Sequence, residues 1–177
     1  MTDRDALRTL ITDLAVVPGR VVLSSGREAD WYLDLRRVAL HHQGGPLVGR
    51  VMRDLTAGWD YDAVGGLTLG ADPVAIAMLH AAAAAGEKVD AFVVRKSGKA
   101  HGLQRRIEGP DVAGRRVLAI DDTSTTGSSV LTAVEALREA GAHVIGVAMV
   151  VDRGASGAVT STGSPCRAAY TLTDLGL

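Results

Sequence analysis

The stretch Val117-Leu118-Ala119-Ile120-Asp121-Asp122-Thr123-Ser124-Thr125-Thr126-Gly127-Ser128-Ser129 runs from four apolar residues through two acids into six hydroxyl residues around one glycine. Unbroken apolar character from Arg116 to Ile120 predicts a strand covered on both faces, as in a parallel sheet. Val130, Val134 and Leu137 predict a helix over 128–140 closed by Gly141, and Val144 to Val151 a second Val-rich strand. A strand, helix, strand unit of this kind makes the central sheet parallel and the fold α/β.

Working outward, Asp90 to Arg95 is a third strand, and Asp62-Ala63-Val64-Gly65-Gly66 the end of a fourth. Asp72-Pro73 offers an N-cap and a first-turn proline for a helix through Ala85. That helix is apolar nearly all round, with His80 its polar exception, which implies burial on more than one side. Leu47, Val48, Val51, Met52 and Leu55 mark another helix stopped by Gly58. Near the start, Leu7, Leu10, Ile11 and Leu14 predict a helix over 3–15 ended by Pro18-Gly19. Extended pieces at Arg20–Leu23 and Trp31–Leu35 flank a turn at Ser24-Ser25-Gly26-Arg27. The segment from Lys96 to Pro110 has no apolar period and is rich in Gly, Lys, Arg and His, the pattern of a functional lid or a disordered segment.

The chain of 177 residues carries a net charge of −1, which gives no broad basic surface for nucleic acid. No apolar run approaches the roughly 18 residues of a membrane span, and the N-terminus is acidic where a signal peptide is basic. One cysteine, Cys166, provides neither a disulfide nor a multi-cysteine zinc site, so a reducing cytoplasm is expected. His41-His42 lack a third ligand and read as surface, His80 as a satisfied core or interface histidine, and Cys166 as a small hydrophobe. Of 19 basic residues only Lys88, Lys96 and Lys99 are lysine, and two of these fall in the cationic loop.

The chemistry follows from residue types. N–H groups at the helix start near Gly127, with the hydroxyls of Thr123, Thr125, Thr126 and Ser128, make a pocket for a phosphate monoester. Acids at the carboxyl end of a parallel strand accept hydrogen bonds from sugar hydroxyls or hold hydrated Mg2+. Ribose plus phosphate is the implied ligand. Gly98-Lys99 is followed by Ala100, so no GxxxxGK[ST] occurs, and no GxGxxG follows a strand. Those absences argue against nucleotide-triphosphatase and dinucleotide readings.

The 13-residue stretch resembles the phosphoribosyl diphosphate (PRPP) signature of the type I phosphoribosyltransferases. Arg95-Lys96-Ser97-Gly98-Lys99-Ala100-His101-Gly102 resembles the catalytic loop of the orotate phosphoribosyltransferases, RKxxKxHG, at full spacing. Leu23-Ser24-Ser25-Gly26-Arg27 with Trp31-Tyr32 is similar to that family's orotate-side segment, and Val151-Asp152-Arg153 to its base-contacting arginine. The resemblance spans residues 20–155.

It implies a mostly parallel sheet flanked by helices, with a small N-terminal hood. The whole chain, 1–177, is then one phosphoribosyltransferase domain: helix and hood over 1–40, core over 41–155 and a C-terminal segment over 156–177. The implied enzyme is a pentosyltransferase converting orotate and PRPP to orotidine 5'-monophosphate (OMP) and diphosphate in de novo pyrimidine (UMP) biosynthesis. PRPP falls to Arg95, Lys96, Lys99, His101, Asp121, Asp122, Thr123, Ser124, Thr125, Thr126, Gly127, Ser128 and Ser129. Lys99, His101, Asp121 and Asp122 are the catalytic set, and Thr125, Arg153 and Tyr32 the orotate set. Mg2+ arrives with PRPP and meets Asp121 and Asp122 indirectly. A cytoplasmic homodimer with shared active sites is implied, with neither nucleic acid nor membrane as partner. Where many relatives carry Tyr-Lys this chain has Leu69-Gly70, and Ser24 replaces a lysine, so two cations of the family's site are missing.

Chemically, transfer at the ribose C1 develops positive charge on the sugar while diphosphate leaves, so the site must neutralise several negative charges and exclude water. Arg95, Lys96, Lys99 and His101 supply such groups, and His101 has a pKa suited to protonating the leaving group. Two alternatives remain on residue grounds: transfer to another base, against which Arg153 and the Ser24–Arg27 segment argue, and a non-catalytic PRPP-sensing regulator, which needs a nucleic-acid surface.

Overall fold

The computed structural model describes residues 1–22, 28–97 and 106–177. The chain opens with α1 (Asp3–Leu10), started by a reciprocal cap in which the Asp5 N–H donates to the Thr2 hydroxyl and the Thr2 N–H to the Asp5 carboxylate, each at 3.1 Å. A π-type turn, Ile11–Ala15, continues the helix, and buried Leu7 and Ile11 confirm the predicted face. Strands β1 (Val16–Val22) and β2 (Glu28–Leu33) form a separate antiparallel ribbon. The predicted stop at Pro18-Gly19 is corrected: the helical segment ends at Ala15, and Pro18 lies inside β1 opposite Trp31. A two-stranded ribbon is all edge, so a missing N–H is tolerated there. The predicted turn at Ser24–Arg27 lies outside the described residues.

Next come α2 (Arg36–Ala39), α3 (Gly44–Leu55), β3 (Ala63–Leu67), α4 (Ala71–Ala84) and β4 (Asp90–Val94). Then follow β5 (Ile107–Glu108), β6 (Arg116–Ser124), α5 (Ser128–Glu139), β7 (His143–Asp152), α6 (Ser156–Thr160) and β8 (Cys166–Thr171). The six-stranded sheet has the order β5-β4-β3-β6-β7-β8, parallel except for β5. Alternation along β6 fills both faces. Leu118 and Ile120 pack with α3 and α4, while Val117 and Ala119 pack with α5, and all four are fully buried. Burying each of the larger pair contributes about 1.5–3 kcal/mol. Tyr170 of β8 ties α1 to the sheet by donating its hydroxyl to the Arg4 carbonyl at 2.7 Å.

Several expectations are adjusted. Helix α4 begins at Ala71, so Asp72 and Pro73 occupy its first turn rather than the cap, where proline's absent N–H is equally harmless. Nor is α4 covered all round: Ile76 is 49% exposed and His80 is exposed, so His80 is not a core residue. The far end of the cationic loop returns as β5, pairing Val93 with Glu108. Strand β8, unheralded by any strong apolar run, completes the sheet.

Chain order reverses between β3 and β6, because the chain leaves β3 toward β4 and β5 and re-enters on the other side. The carboxyl ends of those two strands therefore flank the crevice in which open α/β sheets bind ligands.

Candidate active site

Strand β6 continues through both acids, with Asp121 opposite Met149, Thr123 opposite Val151 and Ser124 opposite Asp152. Asp121 and Asp122 thus sit on a hydrogen-bonded ladder instead of a loop. Asp121 is 6% exposed; its Oδ1 accepts the Asp122 N–H at 3.1 Å, and its Oδ2 is buried with no partner among the described residues. Burial, reinforced by the adjacent Asp122 carboxylate, pushes the Asp121 pKa up to about 7. Burial also raises Asp122, against the opposing Thr123 N–H, which donates to Asp122 Oδ1 at 2.7 Å, and the charge of Arg36. A carboxyl pair this poorly solvated is poised for sugar hydroxyls or a cation.

Ser124 is buried, its hydroxyl favouring ionised Asp121 and its carbonyl accepting the Arg153 N–H at 2.8 Å. Thr125 is half-buried, and Thr126, Ser128 and Ser129 are exposed. Gly127 stands at the N-cap of α5 with φ +80°, a left-handed conformation that glycine adopts without penalty, and contributes no side-chain cap. The Thr126 hydroxyl oxygen accepts the Ser128 N–H at 3.3 Å, and the first helical bond is from the Leu131 N–H to the Gly127 carbonyl at 2.9 Å. The positive N-terminal end of α5 follows the acids within a few residues of chain, the arrangement that suits a phosphate.

Across the crevice, the β3–α4 loop is held by Thr68, whose N–H donates to the Val94 carbonyl at 2.8 Å and whose hydroxyl donates to Asp72 Oδ2 at 2.7 Å. Asp72 Oδ1 is buried without a partner among the described residues, and burial raises its pKa. Gly70 packs directly against Asp122. Leu69 is 62% exposed at the mouth.

On the base side, Arg153 follows β7. Its Nε is buried without a partner among the described residues, and its guanidinium carbon lies 5.8 Å from the centre of the Trp31 ring. Asp152 shapes the backbone around it: Oδ1 accepts the Gly154 and Ala155 N–H groups at 2.8 and 2.6 Å, and Oδ2 the Ser156 hydroxyl at 2.5 Å. Tyr32, next to Trp31 on β2, is half-buried and by strand alternation projects from the opposite face. Arg95 pairs with Glu108 at 3.4 Å, and its N–H donates to the Arg106 carbonyl at 2.7 Å. Lys96 is exposed, whereas Lys99 and His101 lie outside the described residues.

The fold therefore brings together Asp121, Asp122, the 125–129 turn and Arg153. Sequence reading missed Arg36, which pairs with Asp34 at 2.8 Å and whose charge favours ionised Asp122. The Asp34-Leu35-Arg36-Arg37 run was its only local signal. No cluster of three or more His, Cys, Asp or Glu side chains able to hold a metal occurs among the described residues. The Asp121–Asp122 pair with its orphaned oxygen still fits Mg2+ brought in on substrate oxygens, since that ion commonly takes one or two carboxylates and keeps its waters. A larger groove, about 1330 Å3, runs between α3 and α4 and meets the site at Arg36, Leu69 and Asp72. It is mostly apolar and does not contain the acids.

Residues 46–163 match the phosphoribosyl transferase domain family. The chain is 64% identical to the orotate phosphoribosyltransferase of Streptomyces avermitilis, over 98% of this chain and 97% of that protein. A crystal structure of the Mycobacterium tuberculosis orotate phosphoribosyltransferase with Fe(III) dicitrate superposes with a TM-score of 0.89 at 59% identity, covering 99% of this chain and all of that one. A second crystal structure of the M. tuberculosis enzyme, in complex with PRPP, gives 0.86 at 53% identity with 99% and 100% coverage. With a domain match over most of its length and relatives of this identity from end to end, the chain belongs to the orotate phosphoribosyltransferases of the type I phosphoribosyltransferase family.

Proposed function

We propose that the chain transfers the phosphoribosyl group of PRPP to N1 of orotate, forming OMP and diphosphate for pyrimidine biosynthesis, with the crevice between β3 and β6 as its active site. The N1–C1 bond forms as the C1–oxygen bond to diphosphate breaks, and N1 gives up its proton. Asp121 and Asp122 hold the ribose hydroxyls. Thr123 and the 125–129 turn hold the 5-phosphate, while Ser124, from its buried position beside Asp121, serves PRPP by supporting that carboxylate. Arg153 offers a planar fork to the carboxylate or carbonyl edge of orotate, a match that lysine makes poorly; Thr125 completes the base side, with Tyr32 approaching from the face of the ribbon opposite Trp31. Arg95, Lys96, Lys99 and His101 are assigned to the diphosphate, and Arg36 adds a cation beside the acids. Mg2+ would be brought in by PRPP, Asp121 and Asp122 would hold it indirectly, and it would supply charge neutralisation of the diphosphate.

The observation that carries this reading is the acid pair, with Asp121 buried and its Oδ2 unpartnered among the described residues, followed by the glycine-capped N-terminus of α5, at the switch point of the sheet. The test mixes protein, orotate, PRPP and Mg2+ and follows the loss of orotate absorbance. Turnover is expected, and its absence across pH 6–9 overturns the reading.

A homodimer with shared sites completes the proposal. Its support is the open α4 face, where exposed Ile76 and Leu69 border the apolar groove and run into the site. No helix among the described residues is long and apolar enough to cross a membrane. A cytoplasmic location, with small-molecule substrates and neither nucleic acid nor membrane as partner, accords with the lone, half-buried Cys166.

A further inference from the structure

We infer that Trp31 is a specificity-determining residue: its ring aims the Arg153 guanidinium so that acceptors bearing a carboxylate are preferred over those without one. The inference rests on the activity proposed above and deepens it.

The backbone at Arg153 is constrained in two ways. Its N–H extends the sheet ladder to the Ser124 carbonyl at 2.8 Å. The Asp152 carboxylate gathers the N–H groups of the next two residues and the hydroxyl of the third, so the backbone beyond Arg153 is fixed as well. Only the long side chain is left to be aimed. Its Nε is buried without a partner among the described residues, and its guanidinium carbon lies over the Trp31 ring, 5.8 Å from the ring centre. That separation is within the range of a cation–π contact.

The choice of partner matters chemically. A carboxylate at residue 31 would neutralise the guanidinium and occupy the paired N–H donors that recognise a ligand carboxylate. An aromatic ring attracts the cation and leaves it charged. Trp31 is also a firm platform, since it stands opposite Pro18 in the ribbon and packs against the core. The hood thereby meets the base-side arginine through a ring, with Tyr32 turned to the other face.

The test compares OMP with UMP, which differ only by the acceptor's carboxylate, by titration calorimetry on the wild type, Trp31→Leu and Trp31→Phe, alongside orotate turnover. Trp31→Leu is expected to weaken OMP binding by about tenfold while UMP binding stays within about twofold, the noise expected of an uninvolved contact. Trp31→Phe should recover most of the loss. Should the Leu variant fold poorly, Trp31→Met decides in its place, because a side chain without a ring must lower the OMP-to-UMP preference and leave UMP binding unchanged. Equal losses for OMP and UMP, or an unchanged preference in a folded variant, overturn the inference. A wild type that does not turn over orotate removes the activity and this inference together; a working wild type whose Trp31 variants keep their preference removes this inference alone.

Discussion

Gly70 and Asp122 face one another so closely that a Cβ on residue 70 would stand 2.5 Å from Asp122 Oδ1. The two residues come from opposite walls of the crevice, one before α4 and the other at the end of β6. Any side chain at residue 70 would have to displace the Asp122 carboxylate, at the position where the family resemblance expects a lysine.

Restoring that lysine is therefore expected to harm the enzyme. Gly70→Lys must displace the Asp122 carboxylate, and overpacking of this sort costs about 1–3 kcal/mol. Steady-state kinetics should show kcat/KM for PRPP reduced by roughly tenfold. An improved KM for PRPP would contradict the packing argument.

Asp121 gives the stability a pH dependence of definite sign. In an unfolded chain its carboxyl titrates near about 3.9, and in the folded protein near about 7. The folded state holds the proton more tightly, so the contribution to stability is fully present below about pH 4 and lost as pH rises through about 7. Thermal melts of the ligand-free protein from pH 5 to 8 should fall more steeply for wild type than for Asp121→Asn. The difference is of the order of 2–4 kcal/mol across the titration. The same substitution should abolish most turnover.

Gly127→Ala tests the phosphate turn. A side chain at φ +80° is strained, and the new Cβ would meet Val159 Cγ2 at 3.3 Å. Denaturant unfolding should show a loss of about 1–2 kcal/mol, with KM for PRPP rising more than KM for orotate. Equal changes in the two KM values would mean that the turn does not hold the phosphate.

Ile76→Glu probes the open face of α4. A charge placed on the exposed apolar side of the groove should shift sedimentation from dimer to monomer at micromolar concentration and lower turnover in parallel. A monomeric wild type of full activity would remove the shared-site arrangement.

The β6–α5–β7 unit was legible in the sequence because its strands are unbroken apolar runs and its helix keeps a regular period, and the acids and hydroxyls follow in one local stretch. Arg153 entered only through the family resemblance, and the structure places it directly after β7. Relationships across distant parts of the chain were not: Gly70 against Asp122, Trp31 near Arg153, and Arg36 toward the acids arise only when the hood and the two strands are brought together. Strand β8 escaped notice because Cys166–Thr171 mixes small, polar and charged residues, and β5 because two residues carry no period. Proline 18 misled for the opposite reason, a strong local signal overridden by its place in an edge ribbon.

The β6–β7 ladder does not stop at the acids but goes on to join Thr123 to Val151 and Ser124 to Asp152. The sugar end and the base end of the crevice are consequently graduations on one ruler, whose spacing no single side chain can alter. An acceptor of different size or charge cannot be accommodated by stretching that ruler. New acceptor preferences, whether selected in nature or in the laboratory, would have to be written in the side chains that the ladder carries at its base end and in the hood that meets them.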